Sequence, residues 1–105
     1  MATVKRSSVA LTTTSATEVG QAGANGGAYN IHIVNIEGNS ATVTIAVNAS
    51  SATIADTGTI MKTYSVPTSG SPTVIKGLVL AANEYVNAKA SHSNRVALTL
   101  SGYDQ

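Results

Sequence analysis

Apolar and polar residues alternate over four short segments, and this period of two is typical of an antiparallel β-strand with one buried face. The clearest example is ATVTIAVN at residues 41–48. Across the four segments, the residues predicted to face inward are Val9, Leu11, Val43, Ile45, Val47, Ile60, Tyr64, Val66, Val96, Leu98 and Leu100. Each of these strands therefore needs a cover on one face only.

Two further segments are apolar on both faces. In YNIHIVNI, which begins at Tyr29, two isoleucines lie on one face while Val34 and Ile36 lie on the other. The segment VIKGLVL, which begins at Val74, also has apolar residues in both phases, and Gly77 in its middle is a candidate β-bulge. Such strands are central in a sheet, change face at a bulge, or lie at a subunit interface.

Turn residues separate these segments at short intervals, and none of the segments has a helical period. The pattern predicts an all-β chain, a single antiparallel β-sandwich of immunoglobulin-like or jelly-roll type with seven or eight short strands. Residues 1–8 are polar and predict a flexible N-terminal arm, which leaves residues 9–105 for the sandwich. Gly38 and Asn39 predict the turn of a hairpin between YNIHIVNI and ATVTIAVN.

Composition supports the sheet and excludes several partners. Val, Ile and Thr supply 32 of the 105 residues, and the chain has no Phe, Trp or Cys, so the core is thin and lacks disulfides. Six scattered Lys and Arg against five Asp and Glu give a net charge of +1, which argues against a nucleic-acid partner. No apolar stretch is long enough to cross a membrane as a helix.

Candidate chemistry is sparse. His32 and His92 accompany no nucleophile motif and no second ligand at metal spacing, so we predict no catalytic residue, no metal site, no cofactor and no enzymatic activity. His32 is interpreted as a sheet position that faces solvent or an interface. Asp56 is interpreted as a turn residue rather than a calcium ligand.

The order of motifs resembles a group of small virion proteins of tailed bacteriophages. The matching stretches are LTTTSAT, YNIHIVNIEGNSATVTIAV, VLAANEYVNAKAS and VALTLSGY, and together they cover most of residues 9–103. The chain departs from that pattern in two loops. GQAGANGG stands where a Val-Pro-Ala-Gly turn is usual, and Asn83-Glu84 replaces a Gly-Asp turn.

The resemblance implies a non-enzymatic structural protein of the virion. The first expectation is a capsid decoration, or cement, protein that forms a homo-oligomer, with a trimer placed first, and binds a major capsid or tail protein. The alternatives are a tail or neck accessory subunit and a carbohydrate-binding module at a tail tip, which would add a glycan as ligand. The residues predicted to contact a partner or another subunit are Lys5, Arg6, Val34, Ile36, Tyr64 and Tyr85.

Overall fold

The computed structural model of the chain describes residues 3–105, which form eight β-strands and one short 3-10 turn, Asp56–Gly58. The strands are β1 (Thr3–Ala10), β2 (Thr17–Gln21), β3 (Gly27–Asn35), β4 (Thr42–Asn48), β5 (Thr59–Ser65), β6 (Thr73–Leu80), β7 (Tyr85–Ala90) and β8 (Val96–Asp104). The predicted all-β class is confirmed. Within residues 3–105, no helix has the length and apolar character needed to cross a membrane.

Two four-stranded antiparallel sheets are packed face to face. Sheet A has the strand order β1-β8-β3-β6, and sheet B has the order β2-β7-β4-β5. The first strand therefore pairs with the last, the second with the seventh, the third with the sixth and the fourth with the fifth. This nested pairing is the order of an eight-stranded jelly roll, so the antiparallel β-sandwich is confirmed, and the strand order decides between the two predicted types.

One hydrophobic core fills the space between the sheets. Strand β3 shows the alternation most clearly, because Tyr29, Ile31, Ile33 and Asn35 are buried while the residues between them point away from the core. The inward residues predicted for β1, β4 and β8 all belong to the core cluster or pack against it. The core is built mostly from Val, Ile, Leu and Ala, as the absence of Phe and Trp requires.

Strand β5 differs from its predicted phase. Ile60 was expected to face inward with Tyr64, but its side chain is 43% exposed, and Met61 packs against the core instead. The reason is an irregularity in the pairing of β5 with β4, where Thr63 has a positive φ of 52°. A bulge of this kind adds one residue to the strand and reverses the alternation beyond it.

The predicted hairpin at Gly38 and Asn39 is wrong. Strand β3 belongs to sheet A and β4 to sheet B, so the connection crosses from one sheet to the other. The Asn35 side chain organises this crossing: its Oδ1 accepts hydrogen bonds from the backbone N–H groups of Glu37 (3.0 Å) and Gly38 (2.8 Å), and its Nδ2 donates to the Asn39 carbonyl (2.6 Å). The same turn residues suit a hairpin and a crossover, so local sequence did not distinguish them.

The predicted bulge at Gly77 is confirmed. Gly77 has a φ of +69°, and the register of β6 against β3 shifts between Ile75 and Leu78. Both of these residues pack against the core although they are three positions apart. The Asn30 side chain on β3 accepts a hydrogen bond from the Gly77 N–H at 3.1 Å, which holds the bulge in place.

The predicted polar arm differs from the structure at residues 3–8, which belong to β1 and pair with β8 in unbroken register. The segment is polar because β1 is the edge strand of sheet A and exposes one face to solvent. Even an inward polar residue has a partner, since Ser7 Oγ donates to the Val19 carbonyl of β2 at 2.9 Å. Residues 1 and 2 of the predicted arm lie outside the described residues.

Candidate interaction surface

A continuous row of apolar side chains crosses the outer face of sheet A near one end. The register places Val4 of β1 opposite Tyr103 of β8, Tyr103 opposite Ala28 of β3, and Ala28 opposite Val79 of β6. All four residues are exposed and alternate with inward neighbours, so they point away from the core. Directly opposed residues in neighbouring strands have Cβ atoms about 5 Å apart, so the four side chains form one surface, here called the apolar row.

The apolar row holds most of the large hydrophobic side chains that are exposed within residues 3–105. Val4, Tyr103 and Val79 are 72, 57 and 77% exposed. Within residues 3–105, two other large apolar side chains are exposed, namely Ile36 and Ile60. Single exposed apolar residues are common on soluble proteins, but a contiguous patch indicates a surface that binds something.

The opposite end of the same face is also apolar. Ala10, Ala97 and Val34 are aligned across β1, β8 and β3 and point outward, and they are here called the far row. Ile36 follows two positions after Val34 and is 52% exposed. Between the two rows lies a polar centre, whose outward residues on these three strands are Arg6, Ser8, Asn30, His32, Thr99 and Ser101.

The charges on this face all have one sign. Arg6 and Lys76 are its exposed cationic residues, and they lie on the two edge strands. None of the outward positions on β1, β8, β3 or β6 carries a carboxylate in the described part of the chain. A partner that places a positive charge over either edge strand would therefore be repelled by Arg6 or Lys76.

A polar cluster lies directly beneath the apolar row and fixes the strands that carry it. Tyr29 donates its hydroxyl to Asp104 Oδ1, which also accepts from the Gly23 N–H at 3.1 Å. Lys5 Nζ lies 3.4 Å from Asp104 Oδ2 and donates to the Gln21 carbonyl at 2.5 Å. This cluster, here called the clasp, joins β1, β3, β8 and the loop after β2.

The clasp shifts the pKa values of the Tyr29 hydroxyl and the Asp104 carboxyl group. The hydrogen bond from Tyr29 is the main cause that lowers the pKa of Asp104 below its usual 3.8, and the charge of Lys5 acts in the same direction. Burial is the main cause that raises the pKa of Tyr29 above 10.0, and the hydrogen bond to the carboxylate adds to it. At neutral pH the pair is therefore a neutral phenol that donates to an ionised carboxylate. Lys5, Tyr29 and Asp104 are chain neighbours of three apolar-row residues, so the clasp links the strands that carry that row.

The outer face of sheet B is arranged differently, because the chain covers part of it. Asn87 on β7 and Ala46 on β4 are opposed and face outward, yet both are fully buried. Asn87 Nδ2 donates to the Asn48 side chain (2.8 Å) and to the carbonyls of Ser50 and Thr53 (both 2.9 Å). Its Oδ1 accepts from the backbone N–H of residue 52 at 2.9 Å. The loop at 49–58 is thereby held over the sheet.

Three of the four edge strands, β2, β5 and β6, have features that oppose pairing with another chain. On one side of the sandwich, side chains of β1 bond to carbonyls of β2, as described for Ser7 and Lys5. On the other side, β5 and β6 have bulges at Thr63 and Gly77, each next to an exposed lysine. Bulges and charged residues are common devices that prevent edge-to-edge association. The open outer face of sheet A therefore presents the better surface for association.

The structure distributes the six predicted contact residues over different surfaces. Three lie on the outer face of sheet A: Arg6 in its polar centre, Val34 in the far row and Ile36 beyond that row. The remaining three, Lys5, Tyr64 and Tyr85, belong to other surroundings. Lys5 is part of the clasp.

The two predicted tyrosines are half-buried. Tyr64 packs against the core, and its hydroxyl lies 3.0 Å from Thr73 Oγ1, where it bridges the two sheets. Tyr85 belongs to sheet B and pairs with Gln21 and Asn48. The sequence did not predict the apolar row, because its four members come from four separate strands. Strand pairing is the information that brings them together.

Titratable groups do not converge elsewhere on the described chain. Within residues 3–105, no group of three or more His, Cys, Asp or Glu side chains is placed to hold a metal ion. His32 is exposed in the polar centre of sheet A, in agreement with its interpretation as a sheet position. His92 Nδ1 lies 2.9 Å from Ser91 Oγ in the turn after β7. Asp56 is the first residue of the 3-10 turn.

Comparison with known proteins gives little further information. No family model and no curated protein matches this chain. Among solved structures, the chain is similar to a chain of the cyanophage Pam1 capsid asymmetric unit, with a TM-score of 0.47 and 14% sequence identity. The similarity covers 99% of this chain and 85% of that chain.

Proposed function

We propose that the protein is a non-enzymatic structural component of a bacteriophage virion, most specifically a capsid decoration protein that oligomerises and binds other virion proteins. The observation that carries the proposal is the outer face of sheet A, with its apolar row and, among residues 3–105, its lack of outward carboxylates. Such a face can bury its apolar side chains in a contact with another protein. The assignment to a virion rests on the sequence motifs described above.

The fold is consistent with this role but does not decide it. Jelly rolls occur in viral capsid domains, in lectins and in cupins, so architecture alone leaves function open. The distribution of polar groups is more informative. The buried polar side chains are engaged in loops and the clasp, where they stabilise the fold, and the described residues contain no convergent set of acids and bases.

The mechanism in this proposal is mechanical. A protein that binds an assembled lattice and not its separated subunits raises the free energy needed to take the lattice apart. Because the protein is small, its own stability matters for this task. The clasp and the hydrogen-bonded loop at 49–58 contribute to that stability without disulfides.

Co-sedimentation with purified particles tests the proposal. Capsids and tails that lack the protein are incubated separately with it and pelleted. We expect the protein to pellet with capsids and to raise the temperature at which they release DNA. Pelleting with tails alone would replace the decoration role by a tail or neck role. Absence from both pellets would overturn the virion assignment.

A carbohydrate-binding role is the second candidate. It is favoured by the exposed ring of Tyr103, because sugars stack on aromatic faces that are accessible and flanked by hydrogen-bonding side chains. Binding to a glycan array, abolished by Tyr103→Ala and retained in Tyr85→Phe, would support this candidate. No binding on the array, together with pelleting on capsids, would favour the structural role.

A further inference from the structure

We propose that the outer face of sheet A packs against the same face of a second copy of this chain, across a twofold axis that lies in the interface and runs perpendicular to the strands. The inference deepens the proposed function, on which its biological role rests, by naming the surface and the symmetry of the oligomer. The resulting unit is a dimer with an isologous contact. It replaces the trimer as the first expectation for this surface.

Side-chain sizes on the two apolar ends are complementary under this symmetry. The axis lies midway between the two ends, so the apolar row of one copy meets the far row of the other. Strand by strand, Val4 then faces Ala10 of the second copy, Tyr103 faces Ala97, and Ala28 faces Val34. Each contact joins one larger and one smaller side chain, which allows the two faces to interdigitate.

The polar centre is also compatible with this axis. Ser101 meets Thr99 of the second copy and Asn30 meets His32, and both contacts combine hydrogen-bond donors and acceptors. Arg6 meets Ser8 of the second copy, so it is offset by two residues from Arg6 of that copy and lies far from Lys76 on the other edge strand. An axis parallel to the strands would instead place Arg6 over the β6 bulge and Lys76 of the second copy, where like charges repel.

The size of the face is sufficient for a specific contact. Strands about 4.8 Å apart with a rise of about 3.3 Å per residue make four strands of eight or nine residues roughly 19 Å wide and 28 Å long. That area is about 500 Å² on each copy, or about 1,000 Å² in total, which is the smallest area expected of a biological interface. Pairing through the edge strands β2, β5 and β6 is opposed by the bulges and side-chain contacts described above.

Solution mass with charge substitutions tests the surface. We expect the wild-type protein to have twice the chain mass of 10.6 kDa by sedimentation at micromolar concentration. Tyr103→Lys and Val34→Lys should each raise the dimer dissociation constant by at least about 30-fold. The matched control is Ile60→Lys, which places the same charge on an exposed apolar position of sheet B and should leave the dimer intact.

Disulfide trapping tests the position of the twofold axis. Because the chain has no native Cys, only the introduced cysteines can form a disulfide. Chains carrying Ser101→Cys are mixed with chains carrying Thr99→Cys and oxidised. We expect a cross-linked heterodimer in this mixture and none when Ser101→Cys is mixed with Thr44→Cys on sheet B. Cross-linking of Ser101→Cys to Asn30→Cys, without the Thr99 product, would overturn the perpendicular axis.

The outcomes separate this inference from the proposed function. A wild-type monomer at micromolar concentration, or a dimer broken by Ile60→Lys and not by Tyr103→Lys, overturns the inference. If such a monomer still pellets with capsids, the decoration role stands without the dimer. If the dimer forms as described but pellets with neither capsids nor tails, the contact is correct and the virion role is wrong.

Discussion

An asparagine faces outward from each of the two sheets, but its surroundings differ between them. Asn87 faces outward from sheet B and is fully buried, because the loop at 49–58 lies over it and shares its hydrogen bonds. Asn30 faces outward from sheet A and stays exposed, with one bond to the bulge at Gly77. The chain therefore covers part of sheet B by itself and leaves sheet A open. An uncovered face with an apolar row is the face that is available for a partner.

The largest effect is expected from breaking the cover of sheet B. Asn87→Ala removes a buried side chain that bonds the backbone N–H of residue 52 and the carbonyls of Ser50 and Thr53, of which only the Thr53 carbonyl keeps another donor, Asn48 Nδ2. It should therefore lower the free energy of unfolding by about 3 kcal/mol. Urea denaturation of the purified variant measures this. Asn30→Ala is the control on sheet A and should cost about 1 kcal/mol or less. Equal losses of unfolding free energy in the two variants would contradict the conclusion that the chain covers part of sheet B and leaves sheet A open.

A smaller loss is expected from the clasp beneath the apolar row. Tyr29→Phe keeps the buried ring and removes the hydroxyl that donates to Asp104. Hydrogen bonds to charged groups contribute about 2 kcal/mol, so the free energy of unfolding should fall by about that amount. Tyr64→Phe, which removes a hydroxyl from a neutral pair with Thr73, should cost about half as much. Thermal melts of both variants at pH 7 give the comparison.

The clasp also makes stability depend on pH in a predictable direction. Because folding lowers the pKa of Asp104, its contribution is fully present above the usual value of 3.8 and is lost as pH falls through the lower folded value. The raised pKa of Tyr29 adds a loss as pH rises above 10.0. Denaturation of wild type and Asp104→Asn between pH 7 and pH 2 should therefore show a difference that shrinks at acid pH. A difference that grows there would contradict the assignment.

The smallest effects are expected from the bulges on the two edge strands. Gly77 and Thr63 both have positive φ, but glycine adopts this region without cost while a β-branched residue is strained there. Gly77→Ala, which has open space around the added methyl group, should cost about 1 kcal/mol from backbone strain alone. Thr63→Gly should stabilise by about 0.5 kcal/mol, since relief of strain exceeds the added chain entropy. Opposite signs in urea denaturation would confirm this contrast.

Sequence patterns predicted the parts of the fold that depend on local chemistry. Alternation identified the inward residues of β1, β4 and β8, and the glycine within VIKGLVL identified the bulge of β6. The bulge of β5 was missed because it contains Thr63, a residue that ordinarily indicates a regular strand. A bulge can be predicted from the sequence when the residue with positive φ is a glycine. It cannot be predicted in this way when a strained non-glycine residue has the positive φ.

Prediction of the surface was limited for a similar reason. Val34 and Ile36 were identified because two apolar phases occur in one continuous segment. Val79 also lies in a segment with two apolar phases, but Val4, Ala28 and Tyr103 gave no such signal, and the four come from four different strands. The role of Asn87 was also invisible, since its partners lie more than thirty residues away in the chain.

The sequence by itself determined that this protein is an antiparallel β-sandwich with a thin aliphatic core and little charge, because period-two alternation and composition act on neighbouring residues. The tertiary structure alone decided that the segment from Tyr29 to Val47 is a crossover between sheets and not a hairpin. It also decided which exposed residues form one surface. Which strands pair depends on burial over the whole chain. The residues of a local turn do not determine which sheet the next strand joins.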